Sequence, residues 1–126
     1  MMQGRIAVIE DDLVLQQLMY ALLTDEGYEV VGWRWAKGAH AMIRRAHPDA
    51  VLLDLRLEDE WSGLRLAEEL RLDPATTDMP LVAMSGDHRF LREHREDLER
   101  LGCDIEAMPF DLADLLATVE RCIDAR

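Results

Sequence analysis

Short apolar runs recur along this sequence, separated by longer segments with helical spacing. Ile6–Ile9, Ala50–Leu53 and Leu81–Met84 are apolar at every position. Runs of this length and composition are typical of parallel strands buried on both faces. Tyr28–Val31 predicts a further short strand, and a fifth strand is expected to end near Ala107.

The segments between these runs carry apolar residues at the spacing of a helix. Gly and Pro residues punctuate them, and an Asp stands where the last one begins. The predicted helices cover the leucine-rich segment 15–23, Ala39–Ala46, Leu64–Leu72, His88–Arg100 and a segment capped by Asp111. Five strand–helix units predict an α/β fold built on a doubly wound, five-stranded parallel sheet.

Acidic and hydroxyl residues follow several of the predicted strands directly. Glu10 and Asp11 follow the first, Asp54 follows the third, and Ser85-Gly86 follows the fourth. The carboxyl ends of adjacent parallel strands line one crevice, so we expect Glu10, Asp11 and Asp54 to converge there. Carboxylate oxygens suit Mg²⁺ or Mn²⁺, and the metal-free cluster is expected to raise at least one carboxyl pKa by repulsion. The next residue, Asp12, is interpreted as a helix N-cap.

The order of these elements resembles the receiver domain of bacterial two-component response regulators. The elements are an acidic pair, an acceptor aspartate, a hydroxyl residue and an X-Pro step at Pro109, each at a strand end. The resemblance spans the chain. It implies a flavodoxin-like (CheY-like) (βα)5 fold with strand order 2-1-3-4-5. It also implies Mg²⁺ held by Glu10, Asp11 and Asp54, and a candidate cis peptide before Pro109.

The resemblance further implies a signalling domain rather than an enzyme. Asp54 would accept a phosphoryl group from a histidine kinase or a histidine phosphotransfer protein. Ser85 and Gly86 would contact the phosphoryl group and take part in the conformational switch. An output protein or domain that reads the phosphorylated state is expected, but the sequence does not name it.

Several positions depart from the receiver pattern. Met108 stands where the family has a lysine, Ile105 stands where it usually has an aromatic residue, and Glu58 replaces a common proline. These changes predict an unconventional switch. Arg56, two residues after Asp54, is either an auxiliary cation for the site or a solvated loop arginine.

Two functions therefore stay open. The chain is either a phosphoacceptor receiver or an atypical receiver that acts as a phosphorylation-independent protein-interaction module. Retention of the acidic pocket favours the first, whereas Met108 and Ile105 favour the second. A small hydrolase using the same carboxylates is a weaker third, since the sequence offers no further general base.

Chain length, net charge and hydropathy limit the partners and locations that we expect for this protein. The chain has 126 residues, and we expect residues 1–126 to form a single receiver domain. A net charge of −12 argues against nucleic acid, because binding to phosphates needs a basic surface. No segment resembles a membrane span or a signal peptide, so a cytoplasmic location is expected. Any homodimer is expected to use the altered fourth and fifth strand–helix units.

Overall fold

The computed structural model describes residues 3–59 and 61–125. Strands and helices alternate strictly along the chain. Their bounds are β1 Arg5–Ile9, α1 Leu13–Asp25, β2 Glu29–Trp33, α2 Ala39–Ala46, β3 Ala50–Asp54, α3 Ser62–Leu72, β4 Leu81–Ser85, α4 His88–Arg100, β5 Cys103–Ala107 and α5 Leu112–Asp124.

The five strands form one parallel sheet in the order β2-β1-β3-β4-β5. This confirms the predicted fold class and strand order. Helices α2, α3 and α4 contribute to the apolar cluster on one side of the sheet, and α1 and α5 to the cluster on the other. Every residue of β3 and β4 is buried. Their uninterrupted apolar runs follow from this, because successive side chains must fill opposite layers.

Helix α3 begins at Ser62, two residues before the predicted start at Leu64. The Asp59 carboxylate accepts hydrogen bonds from the Trp61 and Ser62 amides, each at 2.8 Å. It provides an acceptor for amides that have no partner inside the helix, which supports a helix start at Ser62. Gly63 follows at a close approach to β3. A Cβ built there would lie 2.3 Å from the Leu55 Cα, so only glycine fits at this position without displacing backbone.

Two other helix starts follow the expected capping chemistry. Asp12 Oδ1 accepts from the amides of Val14 and Leu15, which confirms Asp12 as the cap of α1. Asp111 Oδ1 accepts from the Ala113 amide at the start of α5. Strand β2 runs from Glu29 to Trp33, not over the predicted 28–31. Its pairing with β1 continues through the register pair Ile9 and Trp33, which extends it.

Within the described ranges, no helix is both long enough and apolar enough to cross a bilayer. The two cysteines, Cys103 and Cys122, are both buried and unpaired. Burial raises the pKa of the Cys103 thiol to about 11 and, together with a hydrogen bond to Asp104, that of Cys122 to about 12. Both thiols therefore stay protonated and unreactive at neutral pH.

Candidate functional site

Three carboxylates meet at the carboxyl ends of β1 and β3. The two strands are neighbours and pair Ile9 with Leu53, so the residues that follow them emerge side by side. One carboxylate oxygen from each of Glu10, Asp11 and Asp54 lies within 4.8 Å of the others. The predicted convergence of these three side chains is therefore present in the structure.

Burial makes this cluster electrostatically strained. Glu10 is 2% exposed and Asp54 is 7% exposed, whereas Asp11 lies at the surface. Burial, followed by the hydrogen bond and charge of Asp54, raises the pKa of Glu10 to about 9. Burial also raises the pKa of Asp54, against the lowering effects of Glu10 and of the Arg56 amide. Metal-free, the pair therefore holds a proton near neutral pH.

The donor set fits a hard divalent cation. Glu10 Oε1 accepts a long hydrogen bond of 3.4 Å from the Asp12 amide. Glu10 Oε2 is buried and has no hydrogen-bond donor among the described residues. An ion such as Mg²⁺ would supply a partner for that oxygen and offset the charge of all three groups.

A surface cavity of about 550 Å³ opens over Asp54. Its lining comes from the ends of β3 and β4, the loops that follow β3, β4 and β5, and the first residue of α4. The lining residues are Asp54, Arg56, Ser85, Gly86, Asp87, His88 and Met108. The cavity therefore brings together five of the residues that the sequence singled out, namely Asp54, Arg56, Ser85, Gly86 and Met108.

Ser85 ends β4 on the floor of this cavity and is 3% exposed. Its Oγ accepts a hydrogen bond of 3.0 Å from the Asp87 amide. Because the hydroxyl accepts in this contact, its proton is available to an acceptor in the cavity. Gly86 follows directly; within 4 Å, a Cβ there would meet Met108 Cβ alone among the described atoms, at 3.9 Å.

Arg56 acts on Asp54 through both its backbone amide and its side chain. Its backbone amide donates to Asp54 Oδ1 at 2.8 Å, which fixes the orientation of that carboxylate. Its side chain also lines the cavity and lowers the pKa of Asp54, although burial has the larger effect. Arg56 is thus placed where an auxiliary cation would act.

Met108 is the lining residue that comes from the loop after β5. It is half-buried and packs against the α1–α5 side of the core together with Phe110. Its amide donates to the Ser85 carbonyl at 2.8 Å, and the Met108–Pro109 peptide bond is cis. The thioether brings no charge to the cavity and only a weak acceptor.

Two altered positions lie away from the cavity lining. Ile105 packs against the core cluster on the other side of the sheet, among the residues of α3 and α4. Glu58 Oε1 accepts a hydrogen bond of 2.8 Å from the Ala36 amide. Glu58 therefore ties the loop after β3 to the loop after β2.

Sequence reasoning missed His88 and Asp87, placing the first only on a charged helix face. His88 Nε2 lies 2.8 Å from the Met108 carbonyl oxygen, across the cavity wall. Asp87 caps α4 by accepting from the Phe90 amide at 3.0 Å. Their position directly after Ser85-Gly86, at a strand end, was the available signal.

An aromatic cluster between the loop after β3 and α4 was also missed. The Trp61 ring lies 5.7 Å from the ring of Phe90 and 4.9 Å from that of His94, and the last two are 4.3 Å apart. Trp61 belongs to the loop after β3, while its two partners belong to α4. The cluster therefore couples the loop that carries Arg56 to α4.

Comparison with known proteins agrees with this geometry. The sequence model of the response regulator receiver domain matches residues 6–120. The chain is 33% identical over 121 residues to the transcriptional regulatory protein KdpE of Staphylococcus aureus, a match covering 94% of this chain and 49% of KdpE. It is 30% identical over 97 residues to the polar-differentiation response regulator DivK of Brucella ovis, covering 73% of this chain and 78% of DivK.

Solved structures of similar proteins superpose on almost the whole of this chain. A sensor protein from Polaromonas superposes with a TM-score of 0.87 at 26% identity, covering 98% of both chains. The receiver domain of the sensor histidine kinase PA1611 from Pseudomonas aeruginosa, described with magnesium in its active-site cleft, superposes with a TM-score of 0.82. It is 29% identical, with 96% of this chain and 98% of that chain covered.

The fold, the acidic cluster and these matches together define a two-component signalling module. The chain belongs to the response regulator receiver domain family. It spans about half the length of KdpE of S. aureus and of the phosphate regulon regulator PhoB of P. aeruginosa.

Proposed function

We propose that this domain accepts a phosphoryl group on Asp54, using Mg²⁺ held by Glu10, Asp11 and Asp54. The observation that carries the proposal is the buried carboxylate cluster, in which Glu10 Oε2 has no donor among the described residues. Bound metal would offset the burial and repulsion that keep this pair protonated, and it would offset charge on the transferring phosphoryl oxygens.

The transfer step follows from the position of Asp54. One carboxylate oxygen attacks phosphorus of a phosphohistidine, the P–N bond breaks, and the imidazole nitrogen leaves with the electron pair. The Arg56 amide, bonded to Asp54 Oδ1, holds the carboxylate in one orientation during the attack. Ser85 would donate its hydroxyl proton to a phosphoryl oxygen in the cavity. The donor would be a histidine kinase or a histidine phosphotransfer protein, and the domain would act as a signalling element rather than an enzyme.

The response to phosphorylation is proposed to be unconventional. Met108 gives the cavity no charge, and Ile105 packs in the core on the opposite side of the sheet from the Met108 side chain. The aromatic contacts from Trp61 to Phe90 and His94 connect the loop after Asp54 to α4. We propose that this cluster carries the signal from the site to the surface of α4. It would replace the usual switch, in which the hydroxyl residue at the Ser85 position is coupled to an aromatic residue at the Ile105 position.

Several wider proposals follow from family membership. The full protein is proposed to pair this domain with an output protein or domain in the cytoplasm, and any homodimer would form through the β4–α4 and β5–α5 units. Direct contact of this domain with nucleic acid is not proposed, because its net charge of −12 opposes it. Residues 1–126 are proposed to act as one receiver unit.

Intact mass measurement tests the central proposal. The protein is incubated with Mg²⁺ and a small acyl phosphate, alongside Asp54→Asn. A mass increase of one phosphoryl group in the wild type, lost in the variant and in the absence of metal, is expected. Phosphorylation of the variant to the same extent would contradict the role of Asp54.

Met108 and Ile105 favour a second candidate, a receiver that binds a partner without phosphorylation. That function predicts no uptake of phosphate under conditions in which Mg²⁺ still stabilises the fold. The mass measurement, run together with thermal melts, therefore separates the two functions.

A further inference from the structure

We infer that His88 supplies a positive charge to the phosphoryl-binding cavity, on the wall where the Met108 side chain supplies none. This inference rests on the proposed phosphoacceptor function and names an additional binding residue for it. Its basis is the contact of 2.8 Å between His88 Nε2 and the Met108 carbonyl oxygen, together with the place of both residues in the lining of the Asp54 cavity.

The contact with the Met108 carbonyl determines which nitrogen of the His88 ring carries a proton. A carbonyl oxygen can only accept, so Nε2 must carry the proton in this hydrogen bond. The other nitrogen, Nδ1, takes no part in this contact. Both ring nitrogens of an imidazolium are donors, so the charged form of His88 would keep the same anchor on the cavity wall.

The backbone around Met108 holds the ring in place. The Met108 amide donates to the Ser85 carbonyl, and its carbonyl accepts from His88, so the same residue is tied to both ends of the loop between β4 and α4. Any movement of Ser85 toward a phosphoryl group would carry His88 with it. The anchoring also reduces the side-chain entropy that a phosphoryl contact would cost.

The charges that face the cavity favour a cation at this position. Asp54 comes from β3, Arg56 from the loop after it, and Asp87 from the N-terminus of α4, while the loop after β5 contributes only the uncharged Met108. Phosphorylation would add negative charge at Asp54. An imidazolium at His88 would donate a charge-assisted hydrogen bond to a phosphoryl oxygen, in addition to any contact from Arg56.

His88 takes no part in the bond changes. The new bond joins an Asp54 oxygen to phosphorus, and the bond from phosphorus to the donor breaks with its electron pair leaving on the donor. His88 stabilises charge that develops on the equatorial oxygens and keeps its proton throughout. It is thus a binding residue for the phosphoryl group.

Charge substitutions test the inference. His88→Gln removes the charge but keeps an N–H group able to reach the Met108 carbonyl, and His88→Lys restores a charge. Arg89→Gln is the matched control, because Arg89 is the next residue of α4, has an 82% exposed side chain and lies outside the cavity lining. Each variant is measured for the initial rate of acyl-phosphate labelling, for affinity toward beryllofluoride, and for thermal stabilisation by Mg²⁺.

We expect His88→Gln to slow labelling and weaken beryllofluoride binding about tenfold, which is typical for loss of one charge-assisted contact. His88→Lys should recover both to within about threefold, and Arg89→Gln should match the wild type. The stabilisation by Mg²⁺ should be the same in all four proteins, since the metal site lies on β1 and β3.

Three outcomes would overturn the inference. Labelling of His88→Gln at the wild-type rate would show that the charge is not used. Slow labelling that His88→Lys fails to restore would indicate a structural role for the ring. If the wild type binds Mg²⁺ but neither takes up phosphate nor binds beryllofluoride, the proposed function itself fails, and the inference fails with it.

Discussion

Neutralising Glu10 should stabilise the metal-free protein. The Glu10 carboxyl is 2% exposed, and burial beside Asp54 raises its pKa from 4.5 to about 9. Near pH 7 the folded protein must therefore hold a proton that the unfolded chain has released. Glu10→Gln keeps the size of the side chain and removes this requirement, since glutamine is neutral in both states. Its amide can also donate to Asp54.

The size of the effect follows from the pH interval over which the unfolded chain ionises. One pKa unit corresponds to about 1.4 kcal/mol. Between the ordinary value of 4.5 and pH 7, the penalty in the wild type grows to roughly 3 kcal/mol. Because the pKa of Glu10 is higher in the folded protein than in the unfolded chain, protonated Glu10 contributes its full stability below pH 4.5. That stability is lost progressively as the pH rises from 4.5 through about 9.

Urea unfolding in the presence of a chelator measures this difference. Wild type and Glu10→Gln should be about equally stable near pH 4.5 and diverge as the pH rises, with the variant the more stable. Glu69→Gln, at an exposed position of α3, removes the same charge without burial and is the control. A variant that is equal to or less stable than the wild type at pH 7 would refute the claim that Glu10 is strained. Saturating Mg²⁺ should reverse the order, because only the wild type keeps the full ligand set.

Four further outcomes are expected. Mg²⁺ should raise the melting temperature of the wild type and leave that of Asp11→Ala unchanged, since a ligand of the native state alone stabilises it; an equal shift in both proteins would place the ion elsewhere. Met108→Lys should speed phosphorylation by up to about a hundredfold, as expected for one added electrostatic contact, and parallel labelling time courses decide this. Arg56→Ala should shorten the lifetime of the phosphorylated form and weaken its formation, whereas an unchanged lifetime would leave Arg56 as a solvated residue. Gly63→Ala should lower the free energy of unfolding by about 2 kcal/mol in urea, because the new Cβ collides with the Leu55 backbone.

The sheet and the metal corner were predictable because both depend on local sequence patterns. An apolar run such as Ile6–Ile9 is typical of a strand buried on both faces, and its end fixes where Glu10 and Asp11 emerge. Parallel pairing of β1 with β3 then brings Asp54 beside them without any information about loops. The raised carboxyl pKa expected from repulsion is present in Glu10 and Asp54, although burial is the larger cause in both.

The other walls of the cavity were less predictable because they depend on loop conformations and long-range contacts. His88 reads in sequence as one polar residue of a charged helix, and nothing local indicates its contact with a carbonyl 20 residues away. Trp61 meets Phe90 and His94 in the same way, across two separate units. Helix α3 starts early because of a side-chain contact from Asp59, which helical periodicity does not report.

The carboxylates at the strand ends and the side chains that depend on loops should respond differently to substitution. The three carboxylates are held by two adjacent central strands, which cannot move apart without breaking the sheet, so metal binding should survive changes elsewhere in the cavity. The side chains proposed to supply positive charge depend on loops. Arg56 lies in the loop after β3, and His88, the first residue of α4, is anchored to the Met108 backbone in the loop after β5, so small loop movements change the charge that an occupant of the cavity meets. Substitutions at Met108 and His88 should therefore alter the rate of phosphoryl transfer and the lifetime of the product, while Mg²⁺ affinity stays the same. The double variant Met108→Lys with His88→Gln provides the sharpest comparison: if the lysine restores the rate that the glutamine removes, the two positions supply the same charge to the same cavity.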